Sequence, residues 1–515
     1  MRIEAPRWWL VTLLASLLAG CASLPPLEGR PASSALKHTS GTKLAAGIAP
    51  LAAAHPGKTG IHPLVLGTDA FAARALLARI AERSIDAQYY IWHADQSGGL
   101  LMGELWDAAK RGVRVRLLLD DQNTAGLDAT LAALGANPNL EVRLYNPLAQ
   151  RSGRLLNYVY DFERVNRRMH NKSFTVDGQV TIVGGRNVGN EYFGAGTEVP
   201  FKDLDVIAVG PSVRDVEEEF DRYWNSPSAY PVRTLVGPPA PDAAAFMEER
   251  YATARADPES NAYLRAVRET PLVEALLAQR LELDWADAQL VADDPAKTLD
   301  TTERRDVLLL SELVSGIARP RTSFDIISPY FVPGEKGSAA LEKLVRDGVR
   351  VRVLTNSLAG TDVGVVHSGY AKRRCRLARN GVRLYELKPA VEDDETRERH
   401  KKGSSAARLH AKTFQVDGEL VFAGSFNFDP RSALLNTEMG LVIRSPVLAK
   451  RLAGTFDTLV VQNAYEVKAR DGDPCIEWIE HTAAGEVRYD TEPHTGWGRR
   501  TWIEFLTLLP IDWLL

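Results

Sequence analysis

Apolar and polar positions alternate in blocks along this chain, and the period changes from block to block. Residues 84–92 and 113–119 are apolar runs of strand length, and between them 100–110 repeats its apolar positions at helical spacing. Strand, helix and strand in that order predict an α/β architecture. Further on, Thr413, Phe414, Gln415 and Val416 read as a strand running to a turn at Asp417-Gly418, with Leu420, Val421 and Phe422 returning beside it. Helical periodicity covers 243–255 and 261–278 after an opening rich in proline (Pro238, Pro239, Pro241), and 281–291 reads as extended.

These blocks occur twice. Gly112-Val113-Arg114-Val115-Arg116-Leu117 is echoed by Gly348-Val349-Arg350-Val351-Arg352-Val353, and Val142-Arg143-Leu144-Tyr145 by Val382-Arg383-Leu384-Tyr385. So large a period implies a duplicated domain and not an array of short repeats. The expected organisation is a leader over 1–20, a tether over 21–60, a first domain over 61–236, and an inserted helical segment over 237–301 near the mouth of a cleft. A second domain over 302–465 and a tail over 466–515 follow. At 515 residues the chain suits two ordinary domains with an insert.

Both halves carry H-x-K-x4-D: His170, Lys172 and Asp177, then His410, Lys412 and Asp417. On a strand, residues i and i+2 share a face, so each histidine is expected beside its lysine. The loop after each return strand brings back Gly185 and Asn187 in the first half, Ser425 and Asn427 in the second. Imidazole, ammonium and amide donors converging on one point suit an anionic tetrahedral group such as phosphate. Asp177 and Asp417 sit at turns and read as more structural than chemical, and Asp120 and Asp121 read first as caps of the loop after their strand.

Composition narrows the function. With 45% hydrophobic and 25% charged residues the chain is globular, and a net charge of −4 with pI near 6.3 argues against a general nucleic-acid binder. Basic clusters remain just ahead of each histidine: Arg164, Arg167 and Arg168, then Arg397, Arg399, Lys401 and Lys402 within a polar stretch, 392–405, expected to be mobile. Gly57-Lys58-Thr59 resembles the end of a phosphate loop, but Ala52 stands where its first glycine belongs. No cysteine or histidine spacing suggests a metal, and whether Cys375 and Cys475 pair is open. Trp8 to Leu18 form the apolar core of a signal peptide, and Leu18-Ala19-Gly20-Cys21 resembles a lipobox whose cysteine is acylated. The tail, with Trp497, Trp502, Phe505 and Trp513, suits either a bilayer interface or docking on the protein itself.

The paired motifs, with Gln88-Tyr89-Tyr90-Ile91-Trp92, Ser328 to Pro333 and Ser425-Phe426-Asn427-Phe428-Asp429, resemble the phospholipase D superfamily, and within it bacterial cardiolipin synthases of the C type. The resemblance implies two tandem domains, each a mixed sheet flanked by helices, related by a pseudo-two-fold around one shared active site. It implies His170 as nucleophile and His410 as acid/base, without cofactor or metal. Lys172, Lys412, Asn187, Asn427 and Ser425 would hold the phosphate, with Gly185 making the half-sites unequal. Each histidine would be oriented by a downstream acid, Glu438 for His410 and Asp205 for His170. Phospholipids are the implied partners, with no nucleic acid, and the lipoprotein would face the periplasm, on the outer membrane more than the inner. A phospholipid or nucleic-acid hydrolase and a non-catalytic lipid-binding lipoprotein remain alternatives.

Overall fold

The first half folds as a mixed sheet of eight strands: β1 (Thr59–Leu64), β2 (Ser84–Tyr89), β3 (Arg114–Asp120), β4 (Leu140–Tyr145), β5 (Ser173–Val176), β6 (Val180–Gly184), β7 (Asp205–Val209) and β8 (Ala229–Pro231). Their spatial order is 1-7-6-5-2-3-4-8, with only β2, β3 and β4 mutually parallel. After β9 (Asp284–Ala292) come β10 (Ser323–Ile327), β11 (Arg350–Asn356), β12 (Arg383–Leu387), β13 (Thr413–Val416), β14 (Leu420–Gly424), β15 (Met439–Arg444), β16 (Ala464–Ala469), β17 (Ile476–Thr482) and β18 (Gly485–Tyr489). These follow the order 9-15-14-13-10-11-12-16-17-18, and again the three consecutive strands β10, β11 and β12 are parallel. This computed structural model describes residues 23–196, 200–277, 280–299, 309, 313, 319–361, 363–389, 409–472 and 474–510. The leader, Cys21, the whole polar stretch 392–405 before His410 and Trp513 to Leu515 lie outside the described residues.

The sequence echoes mark equivalent positions in the two sheets. Arg116 clasps Asp86 through two bonds of 2.7 Å, and Arg352 clasps Asp325 at 2.6 and 2.7 Å, both pairs buried. Two-pronged pairing satisfies a guanidinium that would be strongly destabilising if buried alone. The sheets meet through Val183, Val206 and Ala208 of the first against Val421, Ala423, Leu441 and Ile443 of the second.

Two expectations are corrected here. Part of the segment assigned to a tether is ordered: Arg30 donates 2.6 Å bonds to the carbonyls of Asn225, Ser226 and Ala229. A helix, Lys43–Ala54, capped by Thr42, then leads into β1. Capturing three carbonyls with one guanidinium offsets the entropy of fixing a polar chain. The segment 237–301 is also more than a helical insert. Its helices Ala243–Ala256, Pro258–Arg268 and Pro271–Leu277 form, the last two separated at Pro271, and its stretch expected to be extended is β9, which joins both sheets. β9 pairs with β1 over Asp284 to Ala286 and with β15 over Asp287 to Ala292, covering β15 as β1 covers β7.

Elsewhere the tail helix Trp497–Thr507 turns Ile503 and Leu506 onto Leu358 and leaves Trp497, Trp502, Phe505 and Leu508 exposed. Cys375 and Cys475 form a disulfide.

Candidate active site

Each H-x-K precedes its strand instead of lying in it, because the main chain around the histidine pairs with the other half. Met169 bridges Thr437, and the His170 N–H donates to the Thr437 carbonyl at 2.9 Å. Leu409 bridges Lys202, and the His410 N–H donates to the Lys202 carbonyl at 2.8 Å. One residue further along each crossing stands a carboxylate. His170 Nδ1 lies 2.8 Å from Glu438 Oε2, and His410 Nδ1 lies 2.6 Å from Asp203 Oδ2.

The expected orienting acids are therefore corrected. Glu438 serves His170 and not His410, and Asp205 serves neither. Asp205 is buried in β7, 2.8 Å from Arg74 and with its other oxygen accepting the Arg186 N–H at 3.1 Å. The missed residue is Asp203. Its equivalence to Glu438 shows in the sheets and not in the spacing, since Asp203 follows Gly184 by 19 residues whereas Glu438 follows Gly424 by 14. The ladder pairs Gly184 with Asp205 and Gly424 with Gly440.

The first half-site is held from below by Asp120. Both its oxygens accept from Arg168 Nε at 3.0 Å, and one also takes the Met169 N–H at 2.8 Å, fixing the chain just before His170. Asp120 also caps Gln122 N–H at 2.9 Å, as expected. Aromatic rings close the flanks: Tyr90 meets His170 edge-on at 5.0 Å, while Tyr192 and Phe201 both lie 5.1 Å from His410. Tyr90 belongs to the stretch 88–92 that carries the family resemblance, whereas Tyr192 and Phe201 did not stand out in the sequence.

Other expected binding residues divide. Ser425 Oγ donates to Glu438 Oε2 at 2.5 Å, so it orients the acid of His170. Gly185 is the space Asp203 needs: a Cβ there would lie 2.3 Å from Asp203 Oδ1. The Asn187 amide is engaged, accepting from the Ile91 N–H at 3.1 Å and donating to the Tyr192 hydroxyl at 3.0 Å. The Asn427 side-chain oxygen is buried without a partner. Lys172 and Lys412 each fold back to donate to the carbonyl of their own histidine, and Lys412 Nζ also lies 3.0 Å from His410 Nδ1. Asp177 and Asp417 do no chemistry at the histidines. Each turns away to accept three successive backbone N–H groups, from Glu82, Arg83 and Ser84 or from Arg321, Thr322 and Ser323.

The half-sites differ electrostatically. Burial, with the charges of Lys172, Lys412 and His410, holds His170 well below the ordinary histidine value. Burial pushes Lys172 down to about 7 and Glu438 up to about 7, the latter against the pull of Lys172. His410 is lowered by burial and Lys412, but the charge and hydrogen bond of Asp203 draw it back up. Burial would raise Asp203; His410, Lys412 and Arg186 prevail and hold it well below the carboxylate range. One histidine thus faces a carboxyl group that takes up a proton readily, the other a carboxylate that stays charged.

The model of the family described as "Cardiolipin synthase, PLD-like domain" matches residues 76–224 and 313–460. The chain is 48% identical over 474 residues to cardiolipin synthase C of Escherichia coli K12, covering 92% of this chain and 100% of that one. It is 27% identical over 393 residues to cardiolipin synthase A of Pseudomonas fluorescens SBW25, covering 76% and 66%. Phosphatidylserine synthase of Haemophilus influenzae shares the fold, with a TM-score of 0.55 at 12% identity over 92% of this chain and 100% of that one. With two crossed histidine sites on a duplicated sheet and these relatives, the chain belongs to the phospholipase D superfamily, among its cardiolipin synthase-like phosphatidyltransferases.

Proposed function

We propose that this protein makes cardiolipin, transferring a phosphatidyl group from phosphatidylglycerol or phosphatidylethanolamine to a hydroxyl of phosphatidylglycerol through a phosphohistidine. The observation that carries the reading is the crossing itself: each histidine takes its carboxylate from the other half, so both imidazoles serve one site. Two histidines are what a two-step displacement needs. With Nδ1 tied to Glu438, His170 attacks phosphorus through Nε2. The N–P bond forms, the bond to the leaving alcohol's oxygen breaks, and His410 supplies that oxygen with a proton. The incoming hydroxyl then attacks phosphorus, His410 takes its proton, and the N–P bond breaks to release His170. Lys172 and Lys412 offset charge on the phosphate oxygens.

The environments support this division of roles. His170, surrounded by positive charge, stays neutral and can attack; His410, beside an ionised carboxylate, is the better holder of a proton. The lipobox reading makes the protein a periplasm-facing lipoprotein anchored through Cys21, on the outer membrane, and the Cys375–Cys475 disulfide supports an oxidising compartment. The test is expression in a bacterial host that makes no cardiolipin, followed by lipid analysis. Cardiolipin should appear with the native chain and not with His170→Ala. Phosphatidic acid in its place would make the protein a hydrolase and overturn the proposal.

A further inference from the structure

Between β4 and β5 the chain forms a short turn, Arg154–Leu156, and two single-turn helices, Asn157–Tyr160 and Phe162–Val165. Leu155, Leu156, Val159, Tyr160 and Phe162 face outward from it, Leu155 with 82% and Val159 with 76% of its surface exposed. Nowhere else among the described residues do five large apolar side chains stand exposed within eight consecutive positions. Contiguous exposed apolar surface of this kind marks an interaction site.

The exposure is built and not a consequence of slack chain. Asn157 donates to the carbonyls of Gln150 and Arg154 and accepts the Gln150 N–H, all at 2.9 Å, and Asn146 holds the carbonyls of Arg164 and Arg167. The patch is continuous with the catalytic site: its last helix runs into Arg168 and His170, and Tyr158 feels the charges of Arg168, Asp120 and Arg431. Arg431, from the second half, donates to the Asn166 carbonyl and side chain at 3.0 and 2.6 Å. Around the apolar face the charges are matched, Arg151 and Arg154 with Asp121 and Asp128, and Arg164 with Asp161.

We infer that the apolar face of residues 155–162 inserts into the surface of a phospholipid bilayer and holds the catalytic site at headgroup level. The inference rests on the phosphatidyl-transfer reading, in which a phosphate embedded among headgroups must reach a buried imidazole. Aliphatic and aromatic side chains ringed by paired charges complement a layer where apolar chains meet alternating phosphate and ammonium groups. Because the ring is balanced, apolar burial drives the insertion and raised salt leaves it intact.

The test uses the full chain with an environment-sensitive fluorophore on Val159→Cys, and for comparison on Arg214→Cys, an exposed polar site whose side chain is 83% accessible. Vesicles of phosphatidylethanolamine and phosphatidylglycerol should blue-shift the probe at 159, and lipid-borne bromine should quench it, at low and high salt, with neither effect at 214. The double variant Leu155→Asp/Val159→Asp should lose about tenfold or more of turnover on vesicle lipid, since charge opposes insertion. It should keep its turnover of short-chain monomeric phosphatidylglycerol, which also shows that the fold survives. A silent probe at 159 on vesicles whose lipid is turned over overturns the inference and leaves the transfer reading standing. A shift at 159 that follows protein concentration without vesicles also overturns it, in favour of a second copy of the chain. Turnover of neither lipid form refutes the transfer reading, and the probe then decides the bilayer reading by itself.

Discussion

Asp203 and Glu438 occupy equivalent positions and differ by one methylene, yet their neighbours drive them in opposite directions. Ser425 holds Glu438 from one side, whereas Asp203 fills the space left by the missing side chain of Gly185. Gly185→Ser should therefore displace Asp203 from His410 and lower kcat by roughly 10- to 100-fold, the scale of about 1–3 kcal/mol for a disrupted buried hydrogen bond. Steady-state kinetics, with circular dichroism to confirm the fold, would check it; an unchanged kcat would show that Asp203 is not needed where it sits. A second prediction concerns pH. Lys172 carries its charge below its pKa, so with that value near 7 its offset of phosphate charge fades as pH rises through neutrality. The alkaline limb of kcat/KM, which reports the free enzyme, should fall just above pH 7. In kcat the bound phosphate should move the same limb upward. Coincident limbs in the two profiles would assign the ionisation to another group.

At the scale of elements, the hairpins were legible because their turns demand particular residues. Asp177 and Asp417 adopt φ of +52° and +56°, each followed by a glycine at positive φ, a turn that aspartate and glycine tolerate best. The crossing of carboxylates was not legible from spacing, because separation within one half says nothing about which half receives the side chain. The resemblance offers Asp205 as the downstream acid of His170, but the deciding fact is the ladder, which pairs Gly184 with Asp205 and leaves Asp203 beside His410. The ordered segment before β1 was missed for a similar reason: its bonds are made by Arg30 to carbonyls some two hundred residues away. Asp417→Ala tests the structural role of the turn. Three backbone N–H groups lose their acceptor and alanine is strained at positive φ, so the second domain should lose about 1–3 kcal/mol. Urea unfolding would measure this. Because those donors hold the Asp417 pKa below its unfolded value, its contribution is fully present above that unfolded value and is lost as pH falls through the folded one. The difference between native and variant should shrink in acid, and a constant difference would point to strain alone.

For the whole molecule, the pseudo-two-fold makes the two half-sites nearly interchangeable, and a few differences give the two histidines unlike surroundings. A symmetric pair would let either imidazole attack. Here Gly185 opposite Ser425 and Asp203 opposite Glu438 break the symmetry, leaving His170 the neutral ring and His410 the ring beside a fixed negative charge. Removing the nucleophile prevents any covalent adduct. Removing the acid/base does not, provided the donor carries a leaving group acidic enough to depart without a proton. A phosphatidyl donor with a nitrophenol leaving group should therefore label His170 in the His410→Ala variant, as a stable phosphohistidine found by acid-free mass spectrometry. His170→Ala should give no adduct. Glu438→Gln should label more slowly than native, since the imidazole loses the charged acceptor that orients it and offsets its developing positive charge, but at the same residue. Label on His410 would reverse the roles and leave the chemistry unchanged. Absence of adduct in every variant, together with inversion at a chiral phosphorus, would replace the two-step displacement with a single in-line transfer.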